Sequence, residues 1–312
     1  MKAATVGILA LCACSNLMKA QPPTHRFDNA HLFGATAVAF SADGKTLASG
    51  GLKGEIALWQ VAPAKAIARF KAHGDGVRVL EFLRADRLVS SGDDGRIVLW
   101  ELSSRRVLVE QQSSPVTAMR AIDDRLITGH ADGYLREWRA ADLNPVRELR
   151  LPSAIRALAV HGQTLAVATD NGSITLFSPG LQGPREIQAN GPSAHDLRFS
   201  PDGKWLAAGG WFRLFVWNIA SGEHRSIPTE HNGLLTSLDF SPDGSRLVSL
   251  GRHTDSAIRI WDMRSLSVER RYQAHDLCGA MVRYSPDGRY IASASDDESV
   301  RLYDLHLPYD PR

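Results

Sequence analysis

The sequence predicts an all-β fold made of repeated units, and three observations lead to that prediction. First, an aromatic residue ends a short alternating apolar run at seven places, 38 to 44 residues apart: Trp59, Trp100, Trp138, Phe177, Trp217, Trp261 and Tyr303. Second, another short apolar run precedes each of these residues by about twenty positions. Third, no segment keeps helical spacing over three turns. A period of about forty residues built from short alternating runs is typical of repeated β-sheet units.

Each unit is predicted to contain four short strands joined by tight turns. Turns of the Ser-Pro-Asp-Gly type join the first two strands at residues 41–44, 200–203, 241–244 and 285–288. In such turns proline presets φ and glycine accepts a positive φ at the end. A second hairpin, as at residues 91–95, leads into the third strand, and a weaker fourth strand, as at residues 66–74, leads to the next unit. Seven units account for the chain from residue 24 to residue 305.

Composition limits the classes of function. The chain has 312 residues, 44% of them hydrophobic, which is ample for a well-buried core. Its 36 Lys and Arg nearly balance its 34 Asp and Glu, without a long run of like charges, so we expect no nucleic-acid partner. Cys12, Cys14 and Cys278 have neither zinc-site spacing nor the number needed for a disulfide framework. We therefore expect no metal and no cofactor.

The units resemble WD40 repeats over nearly all of the chain that follows the N-terminal segment. The resemblance implies a seven-bladed β-propeller, each blade a four-stranded antiparallel sheet. It also implies that a tetrad of His, Ser or Thr, Asp and Trp is hydrogen-bonded inside a blade. The matching residues are His73, Ser90, Asp94 and Trp100 in blade 2, His231, Ser249, Asp255 and Trp261 in blade 6, and His275, Ser293 and Asp297 in blade 7. Blade 3 keeps Thr128, Asp132 and Trp138 without the histidine, and blades 1, 4 and 5 depart further.

These polar residues also have the composition of a hydrolase triad. A catalytic set occurs once in a domain, whereas this set recurs with the repeat, so we interpret it as structural. A propeller enzyme with a site in its central channel is an alternative. The inner strands would then supply polar residues such as Arg198, Arg283 and Asp196, which do not form a recognisable catalytic set.

The last unit supplies only three strands, around residues 281–284, 290–294 and 300–304. A blade left open in this way would expose unpaired backbone and an apolar face. Residues 25–31 (HRFDNAH) are similar to residues 271–275 (RYQAH), which form the outer strand of another unit. We therefore expect residues 24–31 to complete blade 7, so that an N-terminal strand closes the ring.

The N-terminal segment differs from the repeats. Residues 3–13 carry no charge; they are too few to span a bilayer as a helix but suit a secretion signal. The run from Leu11 to Cys14 resembles the lipobox of bacterial lipoproteins, although Cys12 stands where a small residue is usual. The prediction is a signal peptide at residues 1–13, lipid attachment at Cys14, a tether at residues 14–23, the propeller at residues 24–305 and a tail at residues 306–312. An ordinary cleaved signal and a cytosolic protein are the alternatives.

We define the upper face as the end of the propeller that carries the turns between second and third strands and the outer-to-inner connections. Trp211 and Phe212 fall in such a turn of blade 5, where Gly, Asn or Asp is usual. Trp is enriched at interface hot spots, so both are candidates for partner binding; the alternative is that Trp211 packs back onto blade 5. Further upper-face candidates are Asp75, Asp93, His130, Asp170, Asn232, His253, Asp276 and Asp296. Of these, Asp75, Asp93, Asp276 and Asp296 would form an acidic sector for a basic partner or a cation.

Together these features predict a non-catalytic scaffold, monomeric by itself, that binds a protein or peptide on its upper face. A lipid on Cys14 would be its only contact with a membrane, and Ser15 favours the outer membrane, with the propeller in the periplasm. Nine residues separate Cys14 from residue 24 and reach at most roughly 30 Å, so the lower face would lie near that membrane. The alternative is an intracellular WD40 adaptor, if the N-terminal segment is not a signal.

Overall fold

The structure is a computed structural model and describes residues 20–188, 192–253 and 255–309. In these ranges the strands form seven four-stranded antiparallel sheets, each of which is one blade of a propeller. The predicted all-β, seven-bladed propeller is therefore confirmed. The predicted signal at residues 1–13, lipid attachment at Cys14 and the last residues of the predicted tail lie outside the described residues.

Strand β1 (His25–Phe27) precedes the first blade, and the strands of blades 1 to 4 follow one another from the channel outward. Blade 1 comprises β2 (Ala35–Phe40), β3 (Thr46–Gly51), β4 (Glu55–Gln60) and β5 (Lys65–Lys71). Blade 2 comprises β6 (Val77–Arg84), β7 (Arg87–Gly92), β8 (Arg96–Glu101) and β9 (Arg106–Gln112). Blade 3 comprises β10 (Val116–Ile122), β11 (Arg125–His130), β12 (Tyr134–Arg139) and β13 (Pro145–Arg150), and blade 4 comprises β14 (Ile155–His161), β15 (Thr164–Thr169), β16 (Ile174–Ser178) and β17 (Gln182–Gln188).

The same order continues in the last three blades. Blade 5 comprises β18 (Asp196–Phe199), β19 (Trp205–Gly209), β20 (Arg213–Asn218) and β21 (His224–Pro228). Blade 6 comprises β22 (Gly233–Phe240), β23 (Arg246–His253), β24 (Ile258–Asp262) and β25 (Ser267–Tyr272). Blade 7 comprises β26 (Gly279–Tyr284), β27 (Tyr290–Ser295) and β28 (Val300–Asp304), with β1 as its fourth strand.

The Ser-x-Asp-Gly turns are stabilised by their own side chains. In blade 1, Ser41 Oγ donates to Asp43 Oδ1 at 2.6 Å and accepts from the backbone N–H of Thr46 at 3.0 Å. Gly44 ends the turn at a φ of 68°, a value that glycine adopts without a steric cost. Gly203, Gly244 and Gly288 take the same conformation in the corresponding turns of blades 5, 6 and 7. The sequence pattern therefore specifies this hairpin locally.

The hydrophobic core lies between neighbouring blades. One cluster joins Ile56 and Leu58 of blade 1 to Leu80, Leu88 and Val98 of blade 2, all buried. Equivalent clusters join the other blades around the ring. Because each blade is covered on both faces by its neighbours, its middle strands are buried on both sides, as the burial of β3 and β7 shows.

The N-terminal strand closes the ring, as predicted. β1 pairs antiparallel with β28, so that the sheet order of blade 7 is β1, β28, β27, β26. The Phe27 ring stacks on the indole of Trp59, with centroids 4.4 Å apart, and so ties blade 7 to blade 1. Before β1, the backbone of Gln21 makes hydrogen bonds to Arg271 and Gln273 at the edge of blade 6. The segment of residues 21–27 therefore holds three consecutive blades.

The tetrad in blade 2 forms one hydrogen-bonded chain. Trp100 Nε1 donates to Ser90 Oγ at 2.8 Å, and the same hydroxyl lies 2.7 Å from His73 Nε2. His73 Nδ1 lies 3.1 Å from Asp94 Oδ1. Because the indole can only donate, the hydroxyl hydrogen is left for His73 Nε2, and the Nδ1–H of a neutral His73 donates to the carboxylate. Burial would raise the pKa of Asp94, but hydrogen bonds from the backbone N–H groups of Gly74 and Arg96 lower it to about 2.

Blades 6 and 7 contain corresponding chains. His231 lies 2.8 Å from Ser249, which accepts from Trp261 at 2.8 Å, and His275 lies 2.7 Å from Ser293 and 3.0 Å from Asp297. An arginine adds to each chain. Arg96, Arg259 and Arg301 contact the tetrad aspartate of their own blade and donate to the carbonyl of the residue immediately before the histidine. These arginines extend the tetrad to five residues in blades 2 and 6 and add a fourth residue to the set in blade 7; the sequence analysis did not predict them.

Two further histidines take the tetrad position in blades where none was assigned. His31 Nε2 lies 2.7 Å from Ser49 Oγ in blade 1, and His130 Nε2 lies 2.7 Å from Thr128 Oγ1 in blade 3. Both side chains are fully buried, and burial lowers the pKa of His31 to about 3 and that of His130 to about 4. The prediction that His130 is an upper-face binding residue is therefore wrong. It ends β11, where the strand directs its ring inward to the hydroxyl and tryptophan of its own blade.

Candidate interaction face

Exposed apolar side chains are concentrated on the upper face. Ten large hydrophobic residues are exposed in the part of the chain that the structure describes, and six of them lie in upper-face turns or connections: Leu32, Phe33, Leu52, Trp211, Phe212 and Leu277. Of the other four, three lie on outer strands and one lies in the C-terminal tail: Ile67, Val107, Val146 and Leu307. Exposed apolar groups gathered on one face are typical of an interaction surface.

Trp211 and Phe212 form the tip of the hairpin between β19 and β20. Their side chains are 51% and 53% exposed, and their ring centroids lie 5.9 Å apart. The Phe212 backbone donates to the carbonyl of Gly233 at 2.9 Å and accepts from Thr229 at 2.9 Å. Its φ of 57° is unusual for a bulky residue. The backbone of blade 6 therefore holds this tip in place while about half of each ring faces solvent.

The space inside blade 5 is occupied by another aromatic residue. Phe215 is buried on β20, and its ring stacks with that of Trp217 at a centroid distance of 6.0 Å. A Cβ at Gly210 would approach the Phe215 ring to 3.0 Å. Blade 5 thus places phenylalanine near the turn where other blades carry tetrad side chains. The position of Trp211 on the upper face follows from this packing.

A second group of exposed apolar residues on the upper face, which we call the blade 7–1 cluster, comprises Leu32, Phe33, Leu52 and Leu277. Leu32 and Phe33 lie in the connection from β1 to β2, and Leu277 lies in the connection from β25 to β26. The Phe33 backbone donates to Glu298 Oε1 at 2.9 Å, and the ammonium of Lys53 lies 4.7 Å from the centroid of its ring. Sequence reasoning missed this cluster; the signal was an apolar Leu-Phe pair in a connection that ends in glycine.

The acidic-sector hypothesis needs correction, because arginines pair with most of its carboxylates. Asp296 lies 3.1 Å from Arg252, and Asp276 lies 3.0 Å from Arg26. Asp93 makes an ion pair with Arg78. The same pairing occurs in blade 4, where Asp170 contacts Arg156. These ion pairs neutralise most of the sector, because Arg78 and Arg156 lie at the start of inner strands, Arg252 near the end of β23 and Arg26 in β1, each beside its carboxylate.

Three predicted upper-face residues remain: Asp75, Asn232 and His253. Asp75 and Asn232 are exposed in the connections into blades 2 and 6, and the Asn232 backbone donates to Asp255 at 3.1 Å. His253 ends β23, on the upper face, but its side chain is not among those described. Hence Trp211, Phe212 and the blade 7–1 cluster are the main features of this face.

A network of charged side chains from the inner strands lies around the central channel, and its members are buried or partly buried. Its members are Glu81, Arg120, Asp196, Arg198, Asp239 and Arg283. Arg198 lies 3.0 Å from Asp196 and 3.3 Å from Asp239, and Arg283 lies 3.5 Å from Asp196. Three acids and three arginines leave no net charge for an ionic ligand.

The carboxylates of this network also connect the blades. Asp196 of blade 5 accepts from the backbone N–H of Leu238 in blade 6 at 3.0 Å. Asp239 of blade 6 accepts from Tyr284 in blade 7 at 2.8 Å, and Glu81 of blade 2 accepts from Ala121 in blade 3 at 3.1 Å. Burial raises the pKa of all three carboxyl groups. These hydrogen bonds join each carboxylate to the backbone of the next blade, so the network has the pattern of a structural connection between blades.

Two features are absent from the residues that the structure describes. No group of three or more His, Cys, Asp or Glu side chains is placed to hold a metal ion. No helix in that part of the chain is long and apolar enough to cross a membrane.

The fold defines a seven-bladed propeller built from repeated four-stranded units. The family model for the WD domain, G-beta repeat, matches residues 22–60, 64–101, 186–218, 222–262 and 267–304, which is more than half of the chain. The chain therefore belongs to the WD40 family. The stretch from 102 to 185 is unmatched by that model, yet it folds as blades 3 and 4.

Among similar proteins is telomerase protein component 1 of Mus musculus, 26% identical over 281 residues that cover 86% of this chain and 10% of that protein. Apoptotic protease-activating factor 1 of Homo sapiens is 28% identical over 230 residues, 68% of this chain and 18% of that protein. Protein HIR1 of Kluyveromyces lactis is 27% identical over 200 residues, 58% of this chain and 20% of that protein. The chain thus matches only a tenth to a fifth of the length of these three relatives, all from eukaryotes.

Proposed function

We propose that this protein is a non-catalytic scaffold that binds a protein or peptide partner on its upper face. The observation that carries the proposal is the position of six of the ten exposed large hydrophobic residues of the described chain on that face. Membership of the WD40 family and the relatives above also support a protein-interaction role for this chain. The balanced ion pairs of the channel network support a structural role for the interior rather than a catalytic one.

Two parts of the face are suited to different anchor contacts. The Trp211–Phe212 tip presents two adjacent rings on a fixed backbone, which lowers the entropy lost on binding. The blade 7–1 cluster presents aliphatic side chains and Phe33. Because three inter-blade steps separate blade 5 from blade 1, a partner that uses both would cover the mouth of the channel. Removal of a hot-spot aromatic residue costs about 2 kcal/mol or more in binding.

Photo-crosslinking from defined positions tests this function. A benzoylphenylalanine at position 212 or 277 should capture the same discrete partner, and the Trp211→Ala/Phe212→Ala variant should weaken capture from position 277 at least ten-fold. The matched control is Ile67→Ala/Val107→Ala, which removes equally exposed apolar groups from outer strands. Capture that is equal from position 67, or unchanged in the upper-face variant, would contradict the proposal.

We further propose that Cys14 carries a lipid that holds the lower face near a bacterial envelope membrane. Support comes from the uncharged residues 3–13 and the lipobox-like run that ends at Cys14. Growth with an alkyne-tagged fatty acid should label the native protein and leave Cys14→Ser unlabelled, and only the native protein should sediment with membranes. A native protein that carries no label and keeps its full-length mass would contradict this membrane location.

An intracellular adaptor is the second candidate, and the eukaryotic relatives favour it. In that case the upper-face proposal is unchanged, since it depends on the propeller and not on the lipid. The labelling experiment therefore separates the two locations, while the crosslinking experiment tests the scaffold function independently.

A further inference from the structure

A second candidate site lies on the opposite, lower face, between blades 5 and 6. A cavity of about 390 Å³ opens there between the turn after β18, the turn after β22 and the turn after β24. This volume falls within the range of sites that hold small molecules or peptide side chains. The upper-face residues described above do not contribute to it.

The walls of the cavity are largely apolar. Trp205 and Val216 belong to blade 5, and Phe240, Met263 and Leu266 belong to blade 6. Phe240 and Val216 are part of the buried core cluster between these blades, while Trp205 and Met263 pack at its margin and are only partly buried. The core between blades 5 and 6 is therefore open to solvent at this point, where an apolar side chain of a ligand would extend it.

The carboxylates at the rim of the cavity already accept hydrogen bonds from their own turns. Asp202 and Asp243 also line the cavity, but each carboxylate accepts hydrogen bonds from a serine and a backbone N–H of its own turn. These bonds lower the pKa of both groups. Their acceptor capacity is thus largely used within the blades.

Two arginines at the rim retain donors. Arg225, on β21 of blade 5, contacts Glu223 at 3.3 Å through Nε and Nη2, with more than half of each side chain exposed. Arg264, in the turn of blade 6, makes no side-chain hydrogen bond or ion pair with the described part of the chain and is exposed. A guanidinium on each wall is suited to a carboxylate, which arginine binds in a fixed planar geometry.

We infer that this cavity binds an extended peptide segment in which a large apolar side chain stands next to an acidic one. The apolar side chain fills the space between Trp205, Phe240 and Met263, and the carboxylate contacts Arg225 and Arg264. The site is independent of the upper-face proposal. Two sites on opposite faces allow one propeller to hold two partners at the same time.

Selection from a random peptide library tests this inference. The native chain should enrich peptides with Asp or Glu beside Leu, Ile, Phe or Trp. A fluorescent peptide of the enriched sequence should bind the native chain at least ten-fold more tightly than the Arg225→Glu/Arg264→Glu variant. Both arginines are solvent-exposed, so this variant should keep its urea unfolding midpoint.

Two control variants locate the effect. Arg105→Glu reverses an exposed charge in the corresponding lower-face turn of blade 2 and should bind as the native chain does. Trp211→Ala/Phe212→Ala should also bind normally, which separates this site from the upper face. Enrichment of peptides without the acidic–apolar pair, or equal binding by the charge-reversal variant, would overturn the inference. Self-association of the native chain that the charge reversal abolishes would identify a second copy as the occupant and would also overturn it.

Discussion

At the scale of single residues, a buried hydroxyl connects the strands inside a blade. Ser90 accepts from Trp100 and bonds to His73, so it satisfies one donor and one acceptor that are both cut off from water. The same arrangement is formed by Ser49, Thr128 and Ser249 in blades 1, 3 and 6. Its recurrence supports a structural role, because a catalytic hydroxyl would be exposed to substrate.

Ser90→Ala should lower the free energy of unfolding by about 1–3 kcal/mol, since it leaves the buried indole N–H of Trp100 without an acceptor. Urea denaturation followed by circular dichroism measures the change. Ser104→Ala, which removes an exposed hydroxyl from the same blade, should stay within about 0.5 kcal/mol of the native protein. Equal stability of the two variants would mean that the tetrad hydroxyl contributes little.

His130 makes stability depend on pH. Burial lowers its pKa from 6.5 to about 4, so the folded state binds fewer protons than the unfolded state between these values. The stabilisation is complete above pH 6.5 and is lost as the pH falls toward 4, by about 1.4 kcal/mol per pH unit from this group. Glu81, Asp196 and Asp239, whose pKa values are raised, act in the opposite direction.

The contribution of His130 is isolated by comparing the native protein with His130→Gln. The carboxylates outside blade 3 are common to both proteins, so their effects cancel in the difference. Urea midpoints at pH 4.5, 5.5, 6.5 and 7.5 should fall more steeply with decreasing pH for the native protein. Parallel curves would exclude His130 as a titrating group in this range.

At the scale of elements, a strand of three residues completes the ring. β1 provides the fourth strand of blade 7 and covers the edge of β28. Its only apolar side chain, Phe27, stacks on Trp59 of blade 1. The contact is non-local, because it joins the start of the propeller both to its end and to its first blade.

Phe27→Ala should destabilise the propeller by about 2 kcal/mol, less than for a fully buried phenylalanine because Phe27 is only partly buried. Thermal unfolding measures the effect. Ile67→Ala, on the exposed outer strand β5, removes an apolar side chain that is more exposed than Phe27 and should change the melting temperature little. An equal loss for both variants would argue against Phe27 as the closing contact.

At the scale of the whole molecule, the charge network in the channel joins blades that are distant in sequence. Asp196 alone contacts Arg198 of its own strand, Arg283 of blade 7 and the backbone of blade 6. Its removal would leave an excess of positive charge in the channel, with Asp239 as the remaining carboxylate beside Arg198, and such an excess is costly in a low-dielectric interior.

Asp196→Ala should therefore lower the free energy of unfolding by about 3–5 kcal/mol, the usual loss when one partner of a buried ion pair is deleted. Asp196→Asn, which keeps an acceptor for the Leu238 N–H, should lose less. Glu186→Ala, at an exposed site on β17, is the control and should have the native unfolding midpoint. A loss equal to that of the control would indicate that water replaces the carboxylate.

Much of the architecture was predictable from the sequence because its signals are local and repeated. The alternating runs, the Ser-x-Asp-Gly turns and the closing aromatic residues each act within one unit, and seven repetitions make the pattern reliable. The tetrads of blades 2 and 6 were implied by the resemblance to WD40 repeats, because their residues match all four positions of that motif. His130 was misread because it lies at the end of a strand rather than before one, so position along the chain did not reveal which way its ring points.

The surface was harder to predict, because exposure and pairing depend on contacts between units. Sequence alone determined that an all-β ring forms and that Trp211 and Phe212 lie in a turn. Only the tertiary structure decided that arginines neutralise Asp93, Asp276 and Asp296, and that Leu32, Phe33, Leu52 and Leu277 share one face. The physical reason is that local periodicity encodes strands and turns, whereas ion pairs and surface patches join residues up to 250 positions apart.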